Sequence, residues 1–178
     1  LYLGKYTVVE IKAPNGMVIN NEKHSVELTY AGQDVAVTET VTSFYNERQK
    51  VKISLEKVLE QNDTFGIGKN DEIKNISFGL YAKEDIVSSS GTAIPADGLI
   101  EIITLDENGA ATANTDLPFG SYYVKEIATD EHYILSDTQY PFTFEYAGQD
   151  TETVEIKVND GKPIENKLIY ASVSGKKI

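Results

Sequence analysis

The chain has no cysteine and no tryptophan, one methionine, and only two histidines in 178 residues. Without thiols there is no disulfide, thiolate zinc site, iron–sulfur cluster or cysteine nucleophile, and the isolated His24 and His132 cannot build a histidine metal centre. Positive charge is also scarce: 16 Lys and Arg stand against 28 Asp and Glu, a net charge of -12. Such a surface repels phosphate backbones and anionic headgroups, so nucleic acid is excluded as a partner. No run approaches the roughly 18 to 20 apolar residues of a spanning helix, and the opening residues lack a signal-peptide layout, so no membrane insertion is expected of this segment. A Ser-His-Asp order, a phosphate-binding glycine loop and a metalloprotease helix motif are missing too. No cofactor, no metal and no external-substrate enzyme is therefore expected. What remains is 40% hydrophobic, enough for a core.

The chain repeats itself. Leu1-Tyr2-Leu3-Gly4-Lys5-Tyr6-Thr7-Val8-Val9-Glu10 matches Leu117-Pro118-Phe119-Gly120-Ser121-Tyr122-Tyr123-Val124-Lys125-Glu126, and Tyr30-Ala31-Gly32-Gln33-Asp34 recurs identically as Tyr146-Ala147-Gly148-Gln149-Asp150. Both are displaced by 116 (126 − 10, 146 − 30). Beyond a loop insertion the displacement becomes 120: Asn46 matches Asn166, and the run from Val51 to Val58 matches that from Ala171 to Ile178. The expected organisation is the back part of one repeat (1–48), one whole repeat (49–169) and the first strand of a third (170–178). The junctions are short, which suggests a stiff rod of tandem repeats.

The local period is two. Val51, Ile53 and Leu55 alternate with polar residues, as do Tyr122 and Val124, and Val154, Ile156 and Val158. Pro14-Asn15-Gly16, Asp106-Glu107-Asn108-Gly109, Pro118-Phe119-Gly120 and Asn159-Asp160-Gly161 supply turns with left-handed positions, the second as a hairpin. Residues 61–75 and Ser88-Ser89-Ser90-Gly91 read as loops, with room for a short helical turn near Asp97 to Leu99. Many short strands at even spacing imply an all-β, Ig-like sandwich.

Three polar residues break the alternation. Residues two apart share a strand face, so Lys57 lies on the face of Val51, Ile53 and Leu55. By the same parity Glu126 follows Tyr122 and Val124, and Asn166 lies between Ile164 and Leu168. Each would be costly to bury alone. One reading is a buried ion pair with an amide hydrogen bond, or strand-end residues that reach solvent. The other is chemistry: desolvation favours a neutral lysine amine and a protonated acid. Lys57 then attacks the Asn166 side-chain carbonyl while Glu126 donates a hydrogen bond to the oxyanion and shuttles protons to the departing ammonia. The product is a Lys–Asn isopeptide crosslink, formed in a single self-directed turnover and assisted by fixed proximity.

The segment from Gly4 to Gly16 resembles the E-box of the CnaB-type (SpaA-like, prealbumin-like) domains of Gram-positive surface adhesins and pilins, roughly Gly-x-Tyr-x-x-x-Glu-x-x-Ala-Pro-x-Gly. The whole repeat keeps Gly120, Tyr122 and Glu126 but carries Thr129-Asp130-Glu131-His132 in place of Ala-Pro-x-Gly. Phe78-Gly79-Leu80-Tyr81 is similar to the family's second-strand motif, and Val51 to Val58 to its first strand. The resemblance implies a prealbumin-like β-sandwich with Lys57 as nucleophile, Asn166 as electrophile and Glu126 as catalyst. It also implies an extracellular, cell-wall-anchored stalk whose signal and anchor lie outside this segment, with neighbouring repeats of the same polypeptide as partners.

Glu10 and Asn46 are the equivalent positions in the first repeat, and Lys177 in the third, so neither end can close its own bond. Residues 1–48, lacking early strands, should expose apolar surface. An internal fragment is favoured over strands supplied by another chain. Alternative functions are a ligand-binding adhesin module, using a Tyr-rich or acidic face on a host matrix protein or glycan, and a sortase-polymerised pilin subunit. Asp63, Asp71 and Glu72 are read as a solvated loop rather than a Ca²⁺ site, and both histidines as surface residues.

Overall fold

The computed structural model describes residues 1–87, 91, 93–113 and 115–177. The Ser88-Ser89-Ser90 part of the expected loop, and Ile178 at the end of the expected third repeat, lie outside them. The chain forms two compact units, residues 1–50 with 146–153, and residues 51–145 with 154–177.

The first unit is built on one hairpin, β1 (Gly4–Val9) antiparallel to β2 (Lys23–Leu28), with Gly4 opposite Leu28 and Val9 opposite Lys23. The Pro14-Asn15-Gly16 turn forms as expected: Gly16 is left-handed and the Met17 amide donates to the Pro14 carbonyl. Two strands cannot enclose a core. Tyr30, Val37, Val41 and Tyr45 accordingly stand largely in solvent. Gln49, which its sequence neighbourhood does not single out, is 1% exposed. Its carboxamide nitrogen donates to the Gly148 and Thr151 carbonyls, and its oxygen accepts from the Ala147 amide. Every polar atom of the side chain is thereby satisfied, the condition under which a buried amide is tolerated.

The second unit is a β-sandwich. Its strands are β3 (Lys50–Leu59), β4 (Ser77–Ala82), β5 (Ile86–Val87), β6 (Ala93–Ile94), β7 (Leu99–Thr104), β8 (Ala110–Ala113), β9 (Gly120–Ala128), β10 (Gln139–Phe144), β11 (Thr153–Lys157) and β12 (Ile164–Asn166). One sheet has the order β10-β9-β4-β7; the other has β11-β3-β12, with β8 also pairing β3. Between them lies a core that includes Ile53 and Leu55 from β3, Phe78 and Leu80 from β4, Ile103 from β7, Val124 from β9, Phe144 from β10 and Ile164 from β12. Each such side chain contributes about 1.5 to 3 kcal/mol when removed from water. The first and last strands run parallel, with Ile164 opposite Lys57 and Asn166 opposite Leu59, whereas the β3–β8, β4–β7, β4–β9 and β9–β10 pairings are antiparallel.

Several local expectations change. The Asp106 to Gly109 turn forms, with the Asp106 carboxylate accepting from the Asn108 and Ala110 amides, but it does not join a hairpin. Its flanking strands belong to different sheets, β7 pairing β4 and β8 pairing β3, so the turn carries the chain across the core. Asp97 adopts a left-handed turn and Leu99 opens β7, leaving no helical turn there. Gly120 is not left-handed but the first residue of β9. Within residues 61–75 the chain folds one short 3₁₀ turn, Glu72–Asn75. Residues 171–177, expected as the first strand of a following repeat, pair with no strand here and are exposed.

Candidate crosslinking site

The alternation of β3 carries the site. Ile53 and Leu55 face the core, and the same face continues to Lys57, which is 2% exposed. The Lys57 backbone is fixed from the opposite side: its amide donates to the Gly109 carbonyl at 2.7 Å. Gly109 has φ +78, and a Cβ there would collide with the Lys57 carbonyl oxygen, so the turn reaches this close only with glycine. On β9, Tyr122 and Val124 turn inward and Glu126 follows them, 1% exposed. On β12 the parallel pairing with β3 brings Asn166 to 2% exposure.

The three side chains meet. Lys57 Nζ donates to Asn166 Oδ1 at 2.5 Å and lies 3.5 Å from Glu126 Oε1. Asn166 Nδ2 donates to the same Glu126 Oε1 at 2.8 Å and to Thr129 Oγ1 at 2.9 Å. Glu126 Oε2 accepts from the Ser136 backbone amide at 2.8 Å. One carboxylate oxygen thus faces both nitrogens, and the other is anchored to main chain. Among the described residues no buried side-chain polar atom lacks a partner. Burial pushes the Lys57 ammonium below its ordinary pKa, and the attraction of Glu126 only partly opposes this. Glu126 touches the amide nitrogen of Asn166, while Lys57 faces the carbonyl oxygen. The arrangement therefore suits proton delivery to a leaving nitrogen, and it differs from the expectation that Glu126 donates to the oxyanion.

The first unit holds a partial version of this arrangement. Asn46 Nδ2 donates to Glu10 Oε2 at 2.7 Å and to the Val18 carbonyl at 2.9 Å, and Glu10 Oε2 also accepts from the Asn20 amide. Asn20 precedes Ser136 by 116 residues, the displacement that relates Glu10 to Glu126, so both glutamates are held by the amide ten residues further on. Tyr6 and Tyr122 likewise each donate to the carbonyl four residues back. Lys177 is exposed, outside any strand.

The sequence marks Thr129 only as part of the departure from the E-box, with no role, and does not mark Ser136. The signal for Thr129 was present, since it stands where the E-box has Ala13. The remaining candidates organise their own loops. Glu72 is buried and accepts from the Gly68 and Asn70 amides, Asp63 pairs with Lys69 and Asp71 with Lys74. No cluster of metal-ligating side chains occurs among the described residues. His132 is exposed and bonded to Asp130, which raises its pKa. His24, expected at the surface, is half-buried and stacks on Phe44 with ring centroids 4.3 Å apart. Of the tyrosines, Tyr122, Tyr123 and Tyr133 are buried, and Tyr81 stacks on Tyr123.

The sequence model of the SpaA prealbumin-like fold domain matches residues 1–42 and 64–162, most of the chain. The chain belongs to this family. The matched stretches contain Glu10 and Glu126, whereas Lys57, Asn166, Asn46 and Lys177 fall outside them. No curated protein matches. Among solved structures, the Bacillus anthracis TIE protein is similar at TM-score 0.56 and 22% identity, over 95% of this chain and 26% of that one. The group B streptococcus pilus 2b backbone protein is similar at TM-score 0.43 and 15% identity, over 90% and 52%. GBS52, the minor pilin of Streptococcus agalactiae, is similar at TM-score 0.42 and 19% identity, over 99% and 65%. The chain thus spans only about a quarter of the Bacillus protein and between half and two thirds of the other two. The SpaA prealbumin-like fold is an all-β sandwich, as the alternating strands require.

Proposed function

We propose that this chain is a load-bearing segment of a bacterial cell-surface adhesin or pilin-like stalk, locked by a self-formed isopeptide bond between Lys57 and Asn166. Family membership supports the surface-protein part. One observation carries the chemical part: in a site closed to water, a single oxygen of Glu126 lies beside both the attacking and the leaving nitrogen.

The neutral Lys57 amine attacks Cγ of Asn166 and forms the C–N bond. One proton leaves Nζ for Glu126 Oε1 and is delivered to Nδ2, the Cγ–Nδ2 bond breaks, and ammonia departs. Atoms balance without an external reactant. Glu126 begins and ends in the same protonation state, and burial supplies both the neutral amine and the fixed geometry. In the intact protein the stalk would be anchored to the cell wall, and any ligand would be bound by another domain.

Proteolysis of the denatured chain followed by mass spectrometry tests the bond. The expected product is a branched peptide joining the segments around Lys57 and Asn166, lighter than their sum by one ammonia. Two linear peptides at their calculated masses would contradict it.

A further inference from the structure

We propose that Thr129 is a positioning residue for the crosslinking reaction, its hydroxyl holding the Asn166 carboxamide in the orientation that the Glu126 carboxylate sets; this rests on the reading of the site given above. A carboxamide can sit in two orientations that exchange oxygen and nitrogen; an acceptor-only carboxylate chooses between them, and a hydroxyl, which can donate or accept, holds the choice by taking the second hydrogen. Here both hydrogens of Nδ2 are taken on one side, by Glu126 Oε1 and Thr129 Oγ1, and Oδ1 is left facing Lys57 Nζ. The orientation matters chemically. The nitrogen that must leave as ammonia has to lie on the oxygen that delivers its proton. Turned over, the amide would set its carbonyl oxygen against the Glu126 oxygen and its nitrogen against the amine.

The first unit provides the comparison. At the position 116 residues before Thr129 stands Ala13, which has no hydroxyl. There the second hydrogen of the Asn46 amide goes to the Val18 carbonyl, a main-chain acceptor, beside the same contact to glutamate. Both copies thus hold the asparagine nitrogen with two acceptors. In the whole repeat the second acceptor is a side chain, placed where the sequence departs from its own E-box, and so it can be removed without touching the backbone.

The test uses the full chain made by cell-free translation, stopped at intervals in denaturant, with intact mass following the loss of ammonia. Thr129→Val keeps the branched shape and removes the acceptor; Thr129→Ser keeps the hydroxyl. Thr129→Val is expected to crosslink about tenfold or more slowly, and Thr129→Ser within about threefold of the native rate. In a Lys57→Ala background, where no bond forms, Thr129→Val is expected to stay folded. Equal rates for Thr129→Val and the native chain, or a Thr129→Ser variant as slow as Thr129→Val, would overturn the assignment. So would unfolding of the Lys57→Ala, Thr129→Val chain, because the hydroxyl would then act on the fold. A native chain that keeps its ammonia would remove the crosslink reading itself, and a crosslinked native chain with an indifferent Thr129 would remove only this one.

Discussion

A lysine held by desolvation below its normal pKa is useful only if it can react as an amine, and this makes the reaction pH-dependent with a fixed sign. The rate of ammonia loss should rise with pH until it passes the folded pKa of Lys57, then level off below the ordinary lysine value. Time courses at a series of pH values would show this, and a rate that falls as pH rises would exclude the amine as nucleophile. The same shift affects stability in a chain that cannot react, such as Asn166→Ala. Between the lowered folded pKa and the unfolded value the unfolded chain binds more protons, so stability rises with pH across that window. It is lost as pH falls through the folded value. Glu126→Ala should abolish the bond yet leave a foldable sandwich, and crosslinked Glu126→Ala protein would show that the carboxylate is not the shuttle.

Strands and turns decide whether the three side chains meet. The period-two pattern made β3, β9 and β12 readable, and parity alone pointed Lys57, Glu126 and Asn166 inward, where the structure brings them together. Partners reached through loops were not legible, because alternation describes one strand and says nothing about what approaches it. Ser136 contributes a backbone amide, which no side-chain pattern encodes, and Gln49 is buried through contacts with residues about a hundred positions away. The turn ending at Gly109 reads as a hairpin in the sequence because its composition is the same whether the next strand folds back or crosses to the other sheet. That turn gives a prediction of its own. Gly109→Ala forces a Cβ onto the Lys57 carbonyl and strains a left-handed residue, so it should destabilise the unit by about 1 kcal/mol or more and slow ammonia loss. Thermal melting and intact mass would check both effects, and an unchanged melting temperature would show that the turn gives way freely.

For the whole unit, the bond would join residues 109 positions apart, across the parallel seam of the first and last strands. In the chain-entropy account such a loop closure is worth about 4 to 5 kcal/mol. Its mechanical effect is larger. A pull between the two ends of this unit would pass from Lys57 directly to Asn166, and the chain between them would bear no load. Single-molecule stretching of the native chain should therefore miss the roughly 350 Å of extension that those 109 residues would release if unlinked. Lys57→Ala should show it. The exposed apolar side chains of the first unit and the unpaired residues 171–177 have no such protection, and proteases should attack them first.

The most direct test of the crosslink is the intact mass of the denatured protein, native against Lys57→Ala. The native chain should be lighter than its calculated mass by one ammonia, and Lys57→Ala should match its own. A native chain at its full calculated mass would leave Lys57, Glu126 and Asn166 as an unreacted buried network and contradict the account.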